Sequence, residues 1–310
     1  LKILVTGGAG YLGTIVSEVF LNSGFSVTIL DNLLYKQSSI AHLIPHPNLT
    51  FEYGDVRDSH LLKKLLNVND VIIPLAAIVG APACDKNPQE ATSINKVSVK
   101  NMLRMLSRDQ IVIMPTTNSA YGRGDSEHYC DERSPLNPIS LYAKDKVDVE
   151  KELMELPNAT SFRLATAFGV SPRMRLDLLL NNFVYRALTD RFLVIFEGHF
   201  RRNFIHVRDV AQAFLLALDN FGLFRGEIFN VGMSSANISK IELCRLISEK
   251  IPSFVYFEAE LAKDPDQRDY LVLNDKIESL GFRAKYSLEY GIDELKKAIP
   301  LFSQQLFTNL

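Results

Sequence analysis

Tryptophan is absent from the 310 residues and cysteine is scarce, with three at positions 84, 130 and 244. An odd, widely spaced set builds neither a disulfide framework nor a zinc cluster, and it suits a reducing cytoplasm. No charge of one sign dominates: 34 Lys plus Arg face 36 Asp plus Glu, a net charge of −2. That balance argues against a protein built to grip nucleic acid. Long apolar runs are missing too. The most apolar stretch, Val71 to Cys84, is shorter than the ~20 residues a bilayer requires and is broken by Pro74, Gly80 and Pro82. Leu1 to Thr6 lacks the charged-then-apolar plan of a signal peptide. Repeats, charge blocks and low-complexity linkers are also missing. The expectation is a soluble, cytoplasmic chain with no membrane or nucleic-acid partner. What is present, 47% hydrophobic and 23% charged residues, is ordinary globular composition, long enough for one large α/β domain or two domains.

The first half alternates β-branched apolar runs with amphipathic stretches. Strands are expected at 2–6, 26–30, 49–53, 71–76, 110–114 and 160–164, with helices at 11–23, 60–66, 88–106 and 140–156. Apolar strands separated by helices predict a parallel sheet covered on both faces, wound in the Rossmann manner. The second half is less regular, with helices expected at 178–189, 207–220, 239–249, 274–280 and 288–298 and a strand at 227–230.

The run Thr6-Gly7-Gly8-Ala9-Gly10-Tyr11-Leu12-Gly13 follows a strand and opens a helix, with Gly7, Gly10 and Gly13 three apart. Such glycines allow a tight turn and let backbone approach a pyrophosphate at the positive end of the helix. The next strand ends in Leu30-Asp31-Asn32. A carboxylate there accepts from a ribose diol and repels a 2′-phosphate, so Asp31 favours NAD over NADP. Gly54-Asp55-Val56 closes the third strand, where Asp55 can accept from the adenine amino group and Val56 can pack on its ring.

Tyr142 and Lys146 lie four apart in Ser140-Leu141-Tyr142-Ala143-Lys144-Asp145-Lys146, on one face of an expected helix. A phenol is a poor base at neutral pH, and a nearby cation is expected to bring it toward useful range. Alone, a Tyr-x-x-x-Lys pair is commonplace on helix surfaces. It gains weight from the hydroxyl-rich Thr116-Thr117-Asn118-Ser119-Ala120-Tyr121-Gly122 at a strand end, which can hold a substrate oxygen while Tyr142 exchanges its proton.

With these motifs the sequence resembles the extended short-chain dehydrogenase/reductases of the nucleotide-sugar epimerase/dehydratase family. The likeness runs over nearly the whole chain and includes Pro74-Leu75-Ala76-Ala77 and the stretch Arg201–Ala211. The resemblance implies Thr117 as the catalytic hydroxyl, Tyr142 as the base and Lys146 as the lysine on the nicotinamide ribose. It places Leu75, Ala76, Ala77 and Asn95 near the cofactor. Arg202 matches an arginine on the sugar diphosphate, Asn182 falls where the diphosphate is contacted, and Asp266 and Arg268 lie in the nucleotide segment. Asn118 and Thr166 fall at sugar-contacting positions. The resemblance implies a nucleotide-sugar substrate, a homodimer formed through 88–106 and 140–156, an NAD-binding domain over 1–169 plus about 204–232, and a smaller α/β substrate domain over 170–203 plus 233–310.

Departures narrow the reading. Dehydrating members look like Thr-Asp-Glu where this chain has Thr117-Asn118-Ser119, and an amide with a hydroxyl supplies neither acid nor base. The cysteine of enzymes that invert C3 and C5 is missing from this loop. Thr166 replaces a common asparagine, and Pro74 a histidine. Ile73–Pro82 and Ser171–Asp177 look closer to the GDP-heptose 4-dehydrogenases of bacterial capsule pathways, which oxidise C4 of a nucleotide-linked sugar using bound NAD. The expected activity is C4 oxidation to a 4-keto sugar, with 4-epimerisation as the alternative and a non-catalytic NAD-binding scaffold as a more distant one.

Other residues read as structural. His42 and His46 have no third ligand and Pro45 breaks the helix between them, so no metal site is expected. His206 sits in an apolar strand, and Cys130 with His128 lacks an orienting third group. For Arg173 and Arg175 the sequence leaves two readings open, a solvated pair or a pair facing a phosphate.

Overall fold

A computed structural model describes residues 1–123, 128–259 and 267–302. Its centre is a parallel sheet of β1 (Lys2–Thr6), β2 (Ser26–Asp31), β3 (Leu49–Tyr53), β4 (Val71–Pro74), β5 (Ile111–Thr117), β6 (Ala159–Leu164) and β7 (Ile228–Val231). The spatial order is β7-β6-β5-β4-β1-β2-β3. The winding reverses between β1 and β4, and a crevice opens at the carboxyl ends of the strands there.

Period-2 alternation sorts the sheet into two cores. Ile3, Val5, Val27, Ile29, Val71, Ile73 and Ile113 pack with α1 (Tyr11–Asn22) and the helix Val207–Asp219. Leu4, Leu30, Ile72, Val112 and Met114 pack on the other face with Ser59–Leu66, Val99–Met105 and α2 (Leu141–Leu153). Both faces are dry, as a sheet of parallel strands requires. The Rossmann-type reading of the sequence is what the chain adopts.

Three elements depart from expectation. The fourth strand stops at Pro74 instead of Ala76, because its ladder on β1 ends at the Thr6–Pro74 pair and the chain then turns out into the crevice. The fifth strand runs on to Thr117 along β6, carrying the hydroxyl loop into the crevice. The helix expected over 88–106 is interrupted: Pro88–Thr92 and Val99–Met105 flank a π-helical stretch, Ser93–Ser98. Such stretches recur at functional sites.

The second half adds short sheets that periodicity missed. Arg201–His206 lies between Thr166–Phe168 and Asn237–Ser239, and Phe192–Phe196 pairs in parallel with Val255–Ala259. These are two- or three-strand ribbons whose partners lie far apart in sequence. Among the described residues no helix is long and apolar enough to cross a membrane, and no group of three or more His, Cys, Asp or Glu is placed to hold a metal ion.

Candidate active site

The crevice at the reversal point is a cavity of about 650 Å³ that joins the glycine loop to the second half of the chain. Gly7 takes a φ of +70° and its backbone abuts Ala76, where a Cβ would lie 2.6 Å from the amide nitrogen. A Cβ on Gly13 would strike the Gly7 carbonyl at 2.2 Å, so the helix can start this close to the turn only with glycine there. Gly10 precedes α1, whose first residues present free N–H groups to the cavity.

Asp31 ends β2 at the cavity wall. Its Oδ2 accepts from Ala9 N at 3.0 Å and its Oδ1 from Leu33 N at 2.8 Å. Burial pushes its pKa upward and the two backbone donors oppose that. Asp55 also lines the cavity, but its oxygens already accept from Arg57 at 2.7 and 2.8 Å and from Asn32 Nδ2 at 3.0 Å. Hydrogen bonding from Arg57 is the main cause that holds this carboxyl down to about 2. Its expected role toward an adenine amino group therefore competes with Arg57.

Thr117, Tyr142 and Lys146 meet on one wall. Ser140 caps α2 by accepting from Ala143 N at 3.2 Å, which fixes the helix start two residues before Tyr142. Lys146 Nζ donates to the Pro115 carbonyl at 3.3 Å and lies 6.0 Å from the centre of the Tyr142 ring. Burial pushes the Tyr142 phenol up to about 12 and the Lys146 ammonium down to about 8. Here the expectation needs correction. Lys146 does not bring Tyr142 into the neutral range; desolvation wins, and the cations that pull it back are Arg175 and Arg268. The chain by itself holds Tyr142 as a phenol.

The cavity collects Gly7, Gly10, Tyr11, Leu12, Gly13, Asp31, Asn32, Asp55, Val56, Leu75, Ala76 and Ala77 with Thr117, Tyr142, Lys146, Thr166, Arg202 and Arg268. Three other expected residues stand off its wall. Asn95, in the π-helical stretch, accepts from Ile78 N and donates to Ile78 O, both at 2.8 Å, so it pins the wall from behind. Asn118 is buried with neither amide atom hydrogen-bonded. Asn182 donates to the Leu176 carbonyl at 3.1 Å. Asp266 lies outside the described residues.

Sequence reasoning left several lining residues unassigned: Tyr35, Ser119, Arg173, Arg175, Gln267 and Tyr270. Arg268 reaches across to the Ser119 hydroxyl, and the Arg202 guanidinium lies 5.7 Å from the centre of the Tyr270 ring. These contacts join segments more than 60 residues apart, and no local spacing signals them.

The donor set fits a dinucleotide. A glycine turn opens onto a helix start, a carboxylate ends the second strand, and a Thr, a Tyr and a Lys line the same cavity. Comparison with known proteins agrees. The profile of the NAD dependent epimerase/dehydratase family matches residues 3–232. A Methanocaldococcus jannaschii protein named "Putative UDP-glucose 4-epimerase" is 30% identical over 94% of this chain and 95% of its own. Mouse dTDP-D-glucose 4,6-dehydratase is 30% identical over 94% of this chain and 86% of its own. In fold, the chain is similar to a Bacillus cereus UDP-glucuronic acid 4-epimerase solved with UDP-glucuronic acid and NAD, with a TM-score of 0.85, 23% identity and coverage of 97% and 99%. Matched by the family profile over residues 3–232, this chain belongs to the NAD-dependent epimerase/dehydratase family.

Proposed function

We propose that the protein oxidises and reduces C4 of a nucleotide-linked sugar with NAD. The observation that carries this reading is that Thr117, Tyr142 and Lys146 line one cavity together with the glycine loop and Asp31. NAD, when bound, supplies the hydride acceptor and a positive charge beside Tyr142. Once ionised to the phenolate, Tyr142 would take the proton of the C4 hydroxyl, and Thr117 would hydrogen-bond the same oxygen. Lys146, anchored on Pro115, holds its ammonium beneath the phenol and toward the ribose. Arg202 and Arg268, which also line the cavity, bind the substrate's diphosphate, and Asp31 holds the adenosine ribose. In this reading residues 170–203 and 233–310 hold the nucleotide sugar, and two copies of the chain associate through 88–106 and α2.

Among the described residues, the Thr117–Ser119 loop offers no acid and base for dehydration. Ser119 lines the cavity but contacts Arg268, and Asn118 is buried off the wall, so elimination of a 6-hydroxyl lacks its acid and base. That leaves 4-epimerisation and net 4-oxidation. The Methanocaldococcus jannaschii relative supports epimerisation. The heptose-dehydrogenase reading rests on the resemblance of the stretches 73–82 and 171–177, of which residues 75–82 and Arg173, Arg175 and Asp177 line the cavity.

Product analysis by NMR tests the proposal over a panel of UDP-, dTDP- and GDP-sugars, with and without a 2-oxo acid as oxidant. A C4-inverted sugar formed without oxidant establishes the epimerase, and a 4-keto sugar that accumulates only with oxidant establishes the dehydrogenase. A 6-deoxy product overturns the loop argument against dehydration, and no reaction with any sugar overturns the C4 assignment.

A further inference from the structure

Beyond β4 the chain turns at Gly80, with a φ of +102°, and forms the short helix Ala81–Lys86. Its inner side is fixed. Cys84 N donates to Gly80 O at 3.1 Å, and the Cys84 thiol donates to Ile78 O at 3.3 Å, the same carbonyl that Asn95 holds. Cys84 is buried in a small apolar cluster with Ile78, Ala91 and Ile94, and Ala83 and Tyr142 pack against that cluster. The helix is therefore seated beside the reacting end of the cavity. Ala81 and Asp85, four apart and so on one helical face, both line that cavity.

Asp85 differs from the other carboxylates of the lining. Asp31 accepts from two backbone amides, Asp55 pairs with Arg57 and Asp177 pairs with Arg175. Asp85 makes no hydrogen bond or ion pair among the described residues. Its acceptor oxygens are open to whatever enters next to Tyr142. A sugar presents hydroxyl donors there, and an ionised carboxylate accepts from them more strongly than a neutral group does. The same charge works against an anionic sugar, which the cations Arg202 and Arg268 of the lining would otherwise attract.

We propose that Asp85 determines which sugar the site accepts: its carboxylate takes hydrogen bonds from the hydroxyls of an uncharged sugar and repels a sugar that carries a carboxylate of its own. The substrate class is then a nucleotide-linked neutral hexose or heptose, and uronic acids are excluded. The proposal rests on the C4 nucleotide-sugar reading above and adds to it the charge of the sugar.

Sugar pairs that differ only at C6 test it. Parent, Asp85→Asn and Asp85→Ala proteins are loaded with NAD and titrated by calorimetry with UDP-glucose, UDP-glucuronic acid, GDP-mannose and GDP-mannuronic acid, and with UDP and GDP alone. In the pair whose base the site accepts, the parent is expected to bind the neutral sugar at least about 10-fold tighter than the uronate. Asp85→Asn should narrow that gap to about 3-fold by strengthening the uronate, and added salt should narrow it in the parent. Asp85→Ala should weaken the neutral sugar about 10-fold, with UDP and GDP within about 2-fold of the parent in every variant. Equal binding of both members by the parent, or a gap that survives in Asp85→Asn, overturns the proposal. A parent that prefers the uronates also overturns it and points to Arg268, at Ser119, as the group that reads C6. Variants that weaken UDP and GDP as much as the sugars overturn it by placing Asp85 at the nucleotide. A parent that binds none of the four sugars overturns the nucleotide-sugar reading itself.

Discussion

Glu150 on α2 and Arg163 on β6 form a buried ion pair, 2.6 Å between Oε1 and Nη2, with both side chains at most 6% exposed. Glu150 also accepts from Thr116 at 2.8 Å and Ser161 at 2.7 Å, so one carboxylate ties the helix bearing Tyr142 and Lys146 to the strand bearing Thr117. Replacing Glu150 by Gln leaves a buried guanidinium without its anion, and such losses cost about 3–5 kcal/mol. Urea unfolding of Glu150→Gln is expected to show that drop. A change below 1 kcal/mol would show that the pair does not anchor the helix.

Tyr142 is expected to remain a phenol in cofactor-free protein well above neutral pH, because burial holds it up to about 12. Ultraviolet difference titration of the parent against Tyr142→Phe measures this directly. No phenolate assignable to Tyr142 is expected between pH 7 and 10 without NAD, and loading NAD should bring its ionisation down. The same substitution should cut turnover by roughly 10²–10⁴-fold while NAD still binds. Phenolate at pH 8 in the cofactor-free protein would show that Lys146 compensates burial after all.

Lys146 works at the expense of stability. Its folded-state pKa of about 8 lies below the ordinary lysine value of 10.5, so the folded protein binds that proton less tightly than the unfolded chain. The stability contributed by this site therefore rises as pH climbs from about 8 through the unfolded value, and below pH 8 the charged group destabilises the fold. Lys146→Met should raise Tm at pH 7, by roughly 2–4 °C per kcal/mol recovered, while abolishing activity. A lower Tm at pH 7 would mean that the bond to Pro115 outweighs the buried charge.

Asp31 should set the cofactor preference. Its carboxylate, held by Ala9 N and Leu33 N, stands where a 2′-phosphate would have to approach. Calorimetry is expected to show NAD binding strongly preferred to NADP in the parent and the preference largely lost in Asp31→Asn. Equal affinities in the parent would remove this role.

Much of the framework is legible in the residues taken singly. The glycine spacing, the strand-end Asp31 and the Tyr142–Lys146 pair are local patterns, because turns, helix starts and i to i+4 faces depend on neighbours in sequence. The short apolar runs of the first-half strands, separated by helical stretches, likewise foretell a sheet buried on both faces. The expected ends of β4 and of the 88–106 helix miss, since Pro74 stops its ladder through the geometry of a neighbouring strand. The π-helical turn at Asn95 sits where that side chain bonds both backbone groups of Ile78, seventeen residues away.

The sequence by itself determined the sheet, the glycine turn and which side chains are candidates for the chemistry. Tertiary structure alone decided how charged those side chains are and what closes over them. Tyr142 and Lys146 look like a cation beside a phenol on a helix, yet burial moves the first up and the second down, and desolvation depends on every chain segment packed around the pair. Arg173 and Arg175 look like two surface cations until residues 171–177 are laid across Tyr11, Tyr35 and Gly80, each more than 90 positions away in the sequence. Contacts of that range follow from how the sheet is wound, and no local pattern encodes them.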